Sequence, residues 1–328
     1  MRIITLEEHV TFPEMTGRIP KEKLPANGIE QSPMMKQVAH KLADISGDRL
    51  QSMNDSGISL QVLSIVNAGA DLLPPKDGPD FARSYNDSLA ERMAAHPDRF
   101  TAFAHLPMTA PAAAADELER TVKTYGFRGA LISGLTQGMF LDHPDFAPIL
   151  DRAEQLEVPI YLHPGLPPAS VTQAYYSGLP KFAGSVLSAS GWGWHSETAI
   201  HVLRLILSGT LDRYPGLKLI IGHMGEMLPM MMVRCDGKFK VEQAGVNQRL
   251  ISQTLREQVY ITTSGIFTLP PLMVALDTFG LDNVLFSVDY PFSTNEEGVK
   301  FLESIPLPPD QLSQIAHGNA DRLLKLNP

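Results

Sequence analysis

Sulfur cross-links, long apolar runs and positive charge are all scarce in this sequence of 328 residues. Cys235 is its one cysteine, so no disulfide can form within the chain, and a reducing compartment is expected. No run of about 18 apolar residues occurs, which excludes an ordinary membrane-spanning helix. Lysine and arginine total 27 against 36 aspartates and glutamates, and the net charge of −9 argues against a nucleic-acid-binding protein. The opening stretch MRIITLEEHV lacks the apolar core of a signal peptide, so we expect a soluble cytoplasmic protein.

Short β-rich runs alternate with amphipathic segments along the whole sequence. The runs lie at 2–6, 59–66, 100–106, 128–133, 159–163, 218–222, 259–263 and 284–288. Helix-like spacing of apolar residues occurs at 36–55, 79–97, 111–125, 144–155, 196–209, 268–278 and 309–325. Strands alternating with helices predict a parallel sheet, and eight strands can close a (β/α)8, or TIM, barrel. An open doubly wound sheet is the alternative, although no GxGxxG motif follows an early strand.

Two connections, residues 10–35 and 164–194, are unusually long. Both follow a predicted strand, so in a barrel both lie on the face where active sites form. Long loops in compact domains are more often functional than idle. We therefore expect one barrel domain over residues 1–328, with these two loops around the site.

Ionisable residues collect where the predicted strands end. Strand 1 ends in Glu7 and His9, which share a face because side chains alternate along a strand. His163 ends strand 5, His223 ends strand 6 and Asp289 ends strand 8. Each histidine alone is more often structural, but in a closed barrel all five residues meet at one rim. Histidines and carboxylates together predict a site for a divalent ion such as Zn²⁺ or Mn²⁺.

On these residues the sequence resembles the metal-dependent decarboxylase branch of the amidohydrolase superfamily, which includes the γ-resorcylate and 5-carboxyvanillate decarboxylases. The shared motifs are Glu7-x-His9, YLHP around His163, GHMGEMLPMMMVR around His223 and SVDYPF around Asp289. Runs such as HPDRFTAFAHLP and GNADRLLKL extend the resemblance over nearly the whole chain.

The resemblance implies a role for each residue of the site. The implied ligands of a single divalent ion are Glu7, His9, His163 and Asp289. Beside them, His223 would pair with Glu226, Arg234 would contact the substrate carboxylate, and Trp194 would pack on the substrate ring. Ser133 stands where the resorcylate-type enzymes would carry a polar amide residue in the substrate region. The resemblance also implies a homodimer or homotetramer.

The implied reaction is non-oxidative decarboxylation of a small aromatic acid with a hydroxyl group ortho to the carboxylate. A proton adds to the ring carbon before CO₂ leaves, with Asp289 as candidate donor and His223, oriented by Glu226, as the alternative. No organic cofactor is expected.

Two features separate this sequence from the hydrolases of the superfamily. Its first strand carries Glu-x-His instead of His-x-His, and RGALISG offers no lysine to bridge two metals. A hydrolase of a lactone or cyclic amide, and a non-catalytic binding barrel, stay open as alternatives. Whether His195, at the start of a predicted helix, faces the site is also left open.

Overall fold

Parallel β-strands form where the β-rich runs of the sequence predict them. A computed structural model describes residues 1–24, 33–66 and 69–326. Across these residues the eight strands are β1 (Ile4–Val10), β2 (Leu60–Ile65), β3 (Phe100–Ala102), β4 (Ala130–Ser133), β5 (Ile160–His163), β6 (Leu219–Ile221), β7 (Val259–Thr262) and β8 (Val284–Leu285). Regular pairing gives one sheet in the order β1-β2-β3 and a second in the order β4-β5-β6-β7-β8.

Backbone hydrogen bonds join the two sheets at both seams. Between β3 and β4, the Ala104 N–H donates to Gly129 O at 2.8 Å, and the Leu131 N–H donates to Ala104 O at 3.2 Å. Between β1 and the segment after β8, the His9 N–H donates to Tyr290 O at 2.7 Å. The strands therefore close into the predicted (β/α)8 barrel.

Helices cover the outside of this barrel. The longer ones are α1 (Pro33–Ala43), α2 (Asp48–Asp55), α3 (Gly78–Met93), α4 (Pro111–Tyr125), α5 (Ala147–Gln155), α6 (Gly193–Leu207), α7 (Met232–Lys238), α8 (Ile251–Gln258), α9 (Leu269–Phe279) and α10 (Asn295–Ser304). Shorter helical pieces include Pro13–Thr16, Ala183–Ser188, Thr210–Arg213, Pro309–Ser313 and Asn319–Leu323. The sequence did not predict α7, α8 or α10.

The predicted helix over 36–55 is wrong as a single element, because the chain breaks between α1 and α2. The Asp44 carboxylate accepts hydrogen bonds from the N–H groups of Gly47 and Arg49, both at 2.8 Å. An aspartate side chain that accepts hydrogen bonds from N–H groups a few residues later in the chain stabilises a turn in place of a continued helix. It also satisfies free N–H groups at the start of the next helix.

The barrel interior is apolar at the amino-terminal ends of the strands and polar at the opposite ends. One buried cluster combines strand residues such as Ile4, Leu6 and Tyr161 with Ala320 and Leu323 from the carboxyl-terminal helix, which closes that end. Between Thr5 and Glu8 the pairing of β1 with β2 shifts register. A bulge of this kind re-aims side chains, and here Glu7 contacts Tyr161 inside the barrel. In the described ranges no helix is long and apolar enough to cross a membrane.

Candidate active site

Five ionisable side chains meet at the carboxyl-terminal rim of the barrel. Glu7 Oε1 lies 3.3 Å from His163 Nε2, and His9 Nε2 lies 3.2 Å from Asp289 Oδ1. His223 Nε2 lies 3.8 Å from both Glu7 Oε1 and Asp289 Oδ2. The structure thus brings together all the residues that the sequence placed at the ends of strands 1, 5, 6 and 8.

The donor atoms at this rim fit a divalent cation. His163 Nδ1 donates to Pro164 O at 2.9 Å, and His9 Nδ1 lies 3.4 Å from Ser64 Oγ, so both rings turn Nε2 inward. Glu7 Oε1 and His9 Nε2 are buried, and their nearest polar neighbours, His163 Nε2 and Asp289 Oδ1, do not meet them with hydrogen-bond geometry. Buried polar atoms without partners are rare. The ligand atoms of Glu7, His9 and His163 all lie within 4.8 Å of one another, as a shared metal ion requires.

Three hydroxyl groups fix the other oxygen of Glu7. Tyr161 and Ser264 donate to Glu7 Oε2, and Thr262 Oγ1 donates to it at 3.3 Å. Burial alone would raise the pKa of Glu7, but the charges of His223 and the other imidazoles hold that pKa well below its usual value. Glu7 is therefore an anchored carboxylate with one oxygen directed at the centre of the site.

His223 and Glu226 project from a left-handed turn after β6. Residues 223–227 all have positive φ, with values of 48° at His223 and 52° at Glu226. Such a run of left-handed residues is unfavourable and is typical of functional sites. Glu226 bridges two imidazoles: Oε1 lies 2.8 Å from His223 Nδ1, and Oε2 lies 2.7 Å from His195 Nδ1.

The electrostatics of the His223–Glu226 pair favour the charged form of each of these two side chains. Although burial opposes it, the carboxylates of Glu7, Glu226 and Asp289 raise the pKa of His223 well above its usual value. Burial likewise opposes ionisation of Glu226, but His223 and His195 lower its pKa. His195, whose position was left open, thus faces the site: it contacts Glu226 and lines the same cavity.

A cavity of about 600 Å³ opens directly over the rim. Its polar floor includes His9, His163, His223 and Asp289. Its walls are mainly apolar and aromatic, and they comprise Met35, Val66, Trp192, Trp194, Met224, Met227, Pro229, Met230, Ile266, Pro271, Val274 and Phe292. The described parts of both long connections contribute to the lining, through Met35 at the start of α1 and through Trp192 and Trp194 at the start of α6. Residues 25–32 of the first connection lie outside the described residues. The space suits a small ligand that has an apolar body and one polar edge.

Three residues were expected to contact substrate, namely Trp194, Arg234 and Ser133. Of these three, the structure places Trp194 alone in the lining of the cavity. Trp194 lines the cavity, with its ring centre 6.5 Å from that of His163. Arg234 is exposed on α7 and does not line the cavity; Met232 and Cys235 form the buried face of that helix. Ser133 pairs with His163 in the β4–β5 ladder but is not part of the lining. A role for Arg234 at the substrate carboxylate therefore finds no support within one chain.

The sequence analysis missed the hydroxyl groups that hold Glu7. Tyr161 precedes His163 by two residues on β5, and Thr262 and Ser264 alternate at the end of β7. Alternation places each of them on the inward face. The same rule that paired Glu7 with His9 could have found them.

Known proteins resemble this chain in sequence and in fold. Residues 39–326 match the family model described as Amidohydrolase. The chain is similar to "Decarboxylase orsB" of Emericella nidulans, with 39% identity over 297 residues that cover 88% of each chain.

Two solved structures resemble the whole chain. One is 2,6-dihydroxybenzoate decarboxylase complexed with 2,6-dihydroxybenzoate, with a TM-score of 0.88, 35% identity, and coverage of 99% of this chain and 100% of that one. The other is dihydroxybenzoic acid decarboxylase from Polaromonas sp. JS666 with bound manganese and the inhibitor 2-nitroresorcinol. Its TM-score is 0.87 at 35% identity, covering 99% of this chain and 97% of that one.

Proposed function

This chain belongs to the amidohydrolase family, and from that premise we propose that it is a metal-dependent decarboxylase of a small ortho-hydroxy aromatic acid. The observation that carries the proposal is one cavity with an apolar, aromatic wall and a floor of converging metal-binding atoms. An aromatic acid has two matching parts. Its ring fits the apolar wall, and its adjacent carboxylate and phenolic oxygens can chelate a cation at the floor.

One divalent ion, Mn²⁺ or Zn²⁺, would be held by Glu7, His9, His163 and Asp289. When bound, the ion supplies Lewis-acid chemistry to the substrate oxygens and a template for their orientation. Two carboxylates among four ligands offset its charge, which disfavours generation of a hydroxide nucleophile. We propose that this protein requires no organic cofactor.

Asp289 and His223 would deliver the proton that the reaction adds to the ring. Direct loss of CO₂ would leave an aryl carbanion, so a proton is first transferred to the ring carbon that bears the carboxylate. We assign this transfer to Asp289, which lines the cavity beside the ring site. The phenolate electrons form the new C–H bond, and the electrons of the breaking C–C bond then restore the aromatic ring as CO₂ leaves. Glu226 orients His223, whose Nε2 lies 3.8 Å from Asp289 Oδ2. After a small shift, protonated His223 would pass its proton to the Asp289 carboxylate, which would give it to the ring and return to its ionised form.

A pair of isomeric acids tests the proposed reaction. Purified protein with added Mn²⁺ should release CO₂ from 2,6-dihydroxybenzoate and lower its ultraviolet absorbance. The isomer 3,5-dihydroxybenzoate has the same atoms but no hydroxyl group ortho to the carboxylate, so it should not react. No decarboxylation of any ortho-hydroxybenzoate, together with hydrolysis of lactones or cyclic amides, would overturn the proposal in favour of a hydrolase.

We also propose that the protein is a cytoplasmic homodimer or homotetramer. Large apolar side chains are exposed near the cavity mouth and on α7, with Trp192 at 53%, Met230 at 74% and Val233 at 91% exposure. Exposed apolar patches of this kind support association. The free thiol of Cys235 is compatible with a reducing compartment. Sedimentation analysis checks the assembly, and a monomer at micromolar concentration would contradict it.

A further inference from the structure

Glu8 stands between two proposed ligands of β1, but its carboxylate turns toward the segment after β8. It is fully buried and accepts hydrogen bonds from Ser287 Oγ at 3.0 Å, from the Val288 N–H at 3.1 Å and from the Tyr290 N–H at 3.0 Å. The last two groups flank Asp289, whose φ of 73° is unfavourable for a residue with a side chain. Glu8 therefore binds the backbone on both sides of a proposed ligand.

Arg49, from α2, reaches the same seam from outside the barrel. It is fully buried, and its Nη2 donates to the carbonyl oxygen of His9. Its Nε donates to Asp44 O at 2.9 Å, and its Nη1 donates to Gln61 Oε1 at 3.2 Å. The guanidinium carbon also lies 4.6 Å from the centre of the Tyr290 ring. Arg49 thus contacts one proposed ligand directly and the neighbour of another.

From these contacts we propose that Glu8 and Arg49 are positioning residues that hold His9 and Asp289 in place to share one divalent ion. The regular strand β8 ends at Leu285, well before Asp289. Backbone bonds hold part of this segment, since the Gly265 N–H donates to Val288 O and the His9 N–H donates to Tyr290 O. Glu8 binds the remaining N–H groups on either side of Asp289. The inference rests on the proposed metal site. Groups that orient metal ligands typically affect metal affinity by about 10–100-fold.

Glu8→Gln disrupts this arrangement with little change of shape. Glu8 Oε1 accepts from Ser287 and Val288, while Oε2 accepts from Tyr290. Glutamine has one acceptor oxygen and an NH₂ group in place of the other. One of the two backbone N–H groups beside Asp289 would then face a donor, and the local backbone would shift.

Binding of Mn²⁺ to the full-length, metal-free protein tests the proposal by calorimetry. We expect Glu8→Gln to weaken Mn²⁺ binding at least tenfold and, at saturating Mn²⁺, to lower kcat more than it changes KM. Arg49→Lys keeps the charge but loses the planar fork, and it should weaken Mn²⁺ binding in the same way. The matched control is Glu117→Gln on α4, a buried carboxylate bonded to Asn86 and Arg120. It should leave Mn²⁺ affinity within twofold of the parent.

Three outcomes would overturn the positioning role of Glu8 and Arg49, and a fourth would refute the proposed metal site itself. A folded Glu8→Gln protein with parent-like Mn²⁺ affinity would overturn the proposal, as would an equal loss of affinity in Glu117→Gln. If Glu8→Gln does not fold, Arg49→Lys decides, and parent-like affinity in that variant overturns the proposal. A parent protein that binds no Mn²⁺ would instead refute the proposed function, and the positioning role with it.

Discussion

Tyr161→Phe removes a single hydroxyl group beneath the proposed metal site. Tyr161 is fully buried and donates to Glu7 Oε2, which also accepts from Ser264 and Thr262. Burial and the charge of Glu7 raise the pKa of Tyr161 well above its usual value. The hydroxyl therefore keeps the proton that it donates, and it fixes Glu7 with Oε1 facing the centre of the site.

The expected magnitude follows from the charge of the acceptor. A hydrogen bond to an ionised group contributes about 1.5–3 kcal/mol to stability, and metal-free Tyr161→Phe should lose about that much. With Glu7 less firmly oriented, Mn²⁺ affinity should fall by about tenfold or more. The matched control is Tyr85→Phe, because Tyr85 is equally buried but donates only to the neutral Val10 O, at 3.4 Å. That variant should lose about 1 kcal/mol or less and keep parental Mn²⁺ affinity.

Urea unfolding of the metal-free proteins measures the first quantity, and calorimetric titration with Mn²⁺ measures the second. The reasoning is refuted if Tyr161→Phe binds Mn²⁺ as tightly as the parent. It is also refuted if the two tyrosine variants lose equal stability and equal affinity, because the charge of the acceptor would then be irrelevant.

Three further predictions concern the proton donor, the metal and pH. Asp289→Asn should lower kcat at least about 100-fold while circular dichroism stays parental; a loss of less than tenfold would remove Asp289 from proton transfer. Chelation should abolish activity, and Mn²⁺ at 100 times its Kd should add about 2.7 kcal/mol of stability; a thermal midpoint indifferent to Mn²⁺ would contradict this. Burial lowers the pKa of His201 to about 3 and that of His105 to about 4, and each accepts a backbone N–H, from Leu141 and Ala70 respectively. For these two groups the unfolded chain binds protons first, so each histidine lowers stability below about pH 6.5 by up to about 1.4 kcal/mol per pH unit until it reaches its folded pKa. Burial raises the pKa of Glu8 to about 7 and that of Asp71 to about 6, which opposes this fall, so the histidine effect is measured against a His201→Gln variant. Equal changes in stability between pH 6.5 and 5 for the parent and for His201→Gln, measured by urea unfolding, would contradict that account.

The barrel could be predicted from the sequence because its strands are continuous apolar runs separated by helix-length segments. Local side-chain chemistry set the limits of that prediction. The break between α1 and α2 depends on Asp44 binding the N–H groups of Gly47 and Arg49, which apolar spacing does not reveal. Similarly, α10 begins with a capping box in which Thr294 and Glu297 bind each other's backbone N–H groups.

The site was predictable to the extent that it follows the ends of strands. The closed barrel brings together four residues that each end an apolar run, namely Glu7, His9, His163 and Asp289. The residues that position these side chains cannot be found from strand ends. Glu8 and Arg49 are far apart in the sequence. The seam between β1 and the segment after β8 brings Glu8 to the backbone beside Asp289 and Arg49 to the carbonyl oxygen of His9.

A titration of metal-free protein with Mn²⁺, followed by the rate of CO₂ release from 2,6-dihydroxybenzoate, tests the central claim most directly. We predict that activity rises in proportion to added metal and stops rising at one equivalent per chain. Activity that needs two equivalents would contradict the single-ion site formed by Glu7, His9, His163 and Asp289. Full activity without added or bound metal would contradict the metal-dependent mechanism itself.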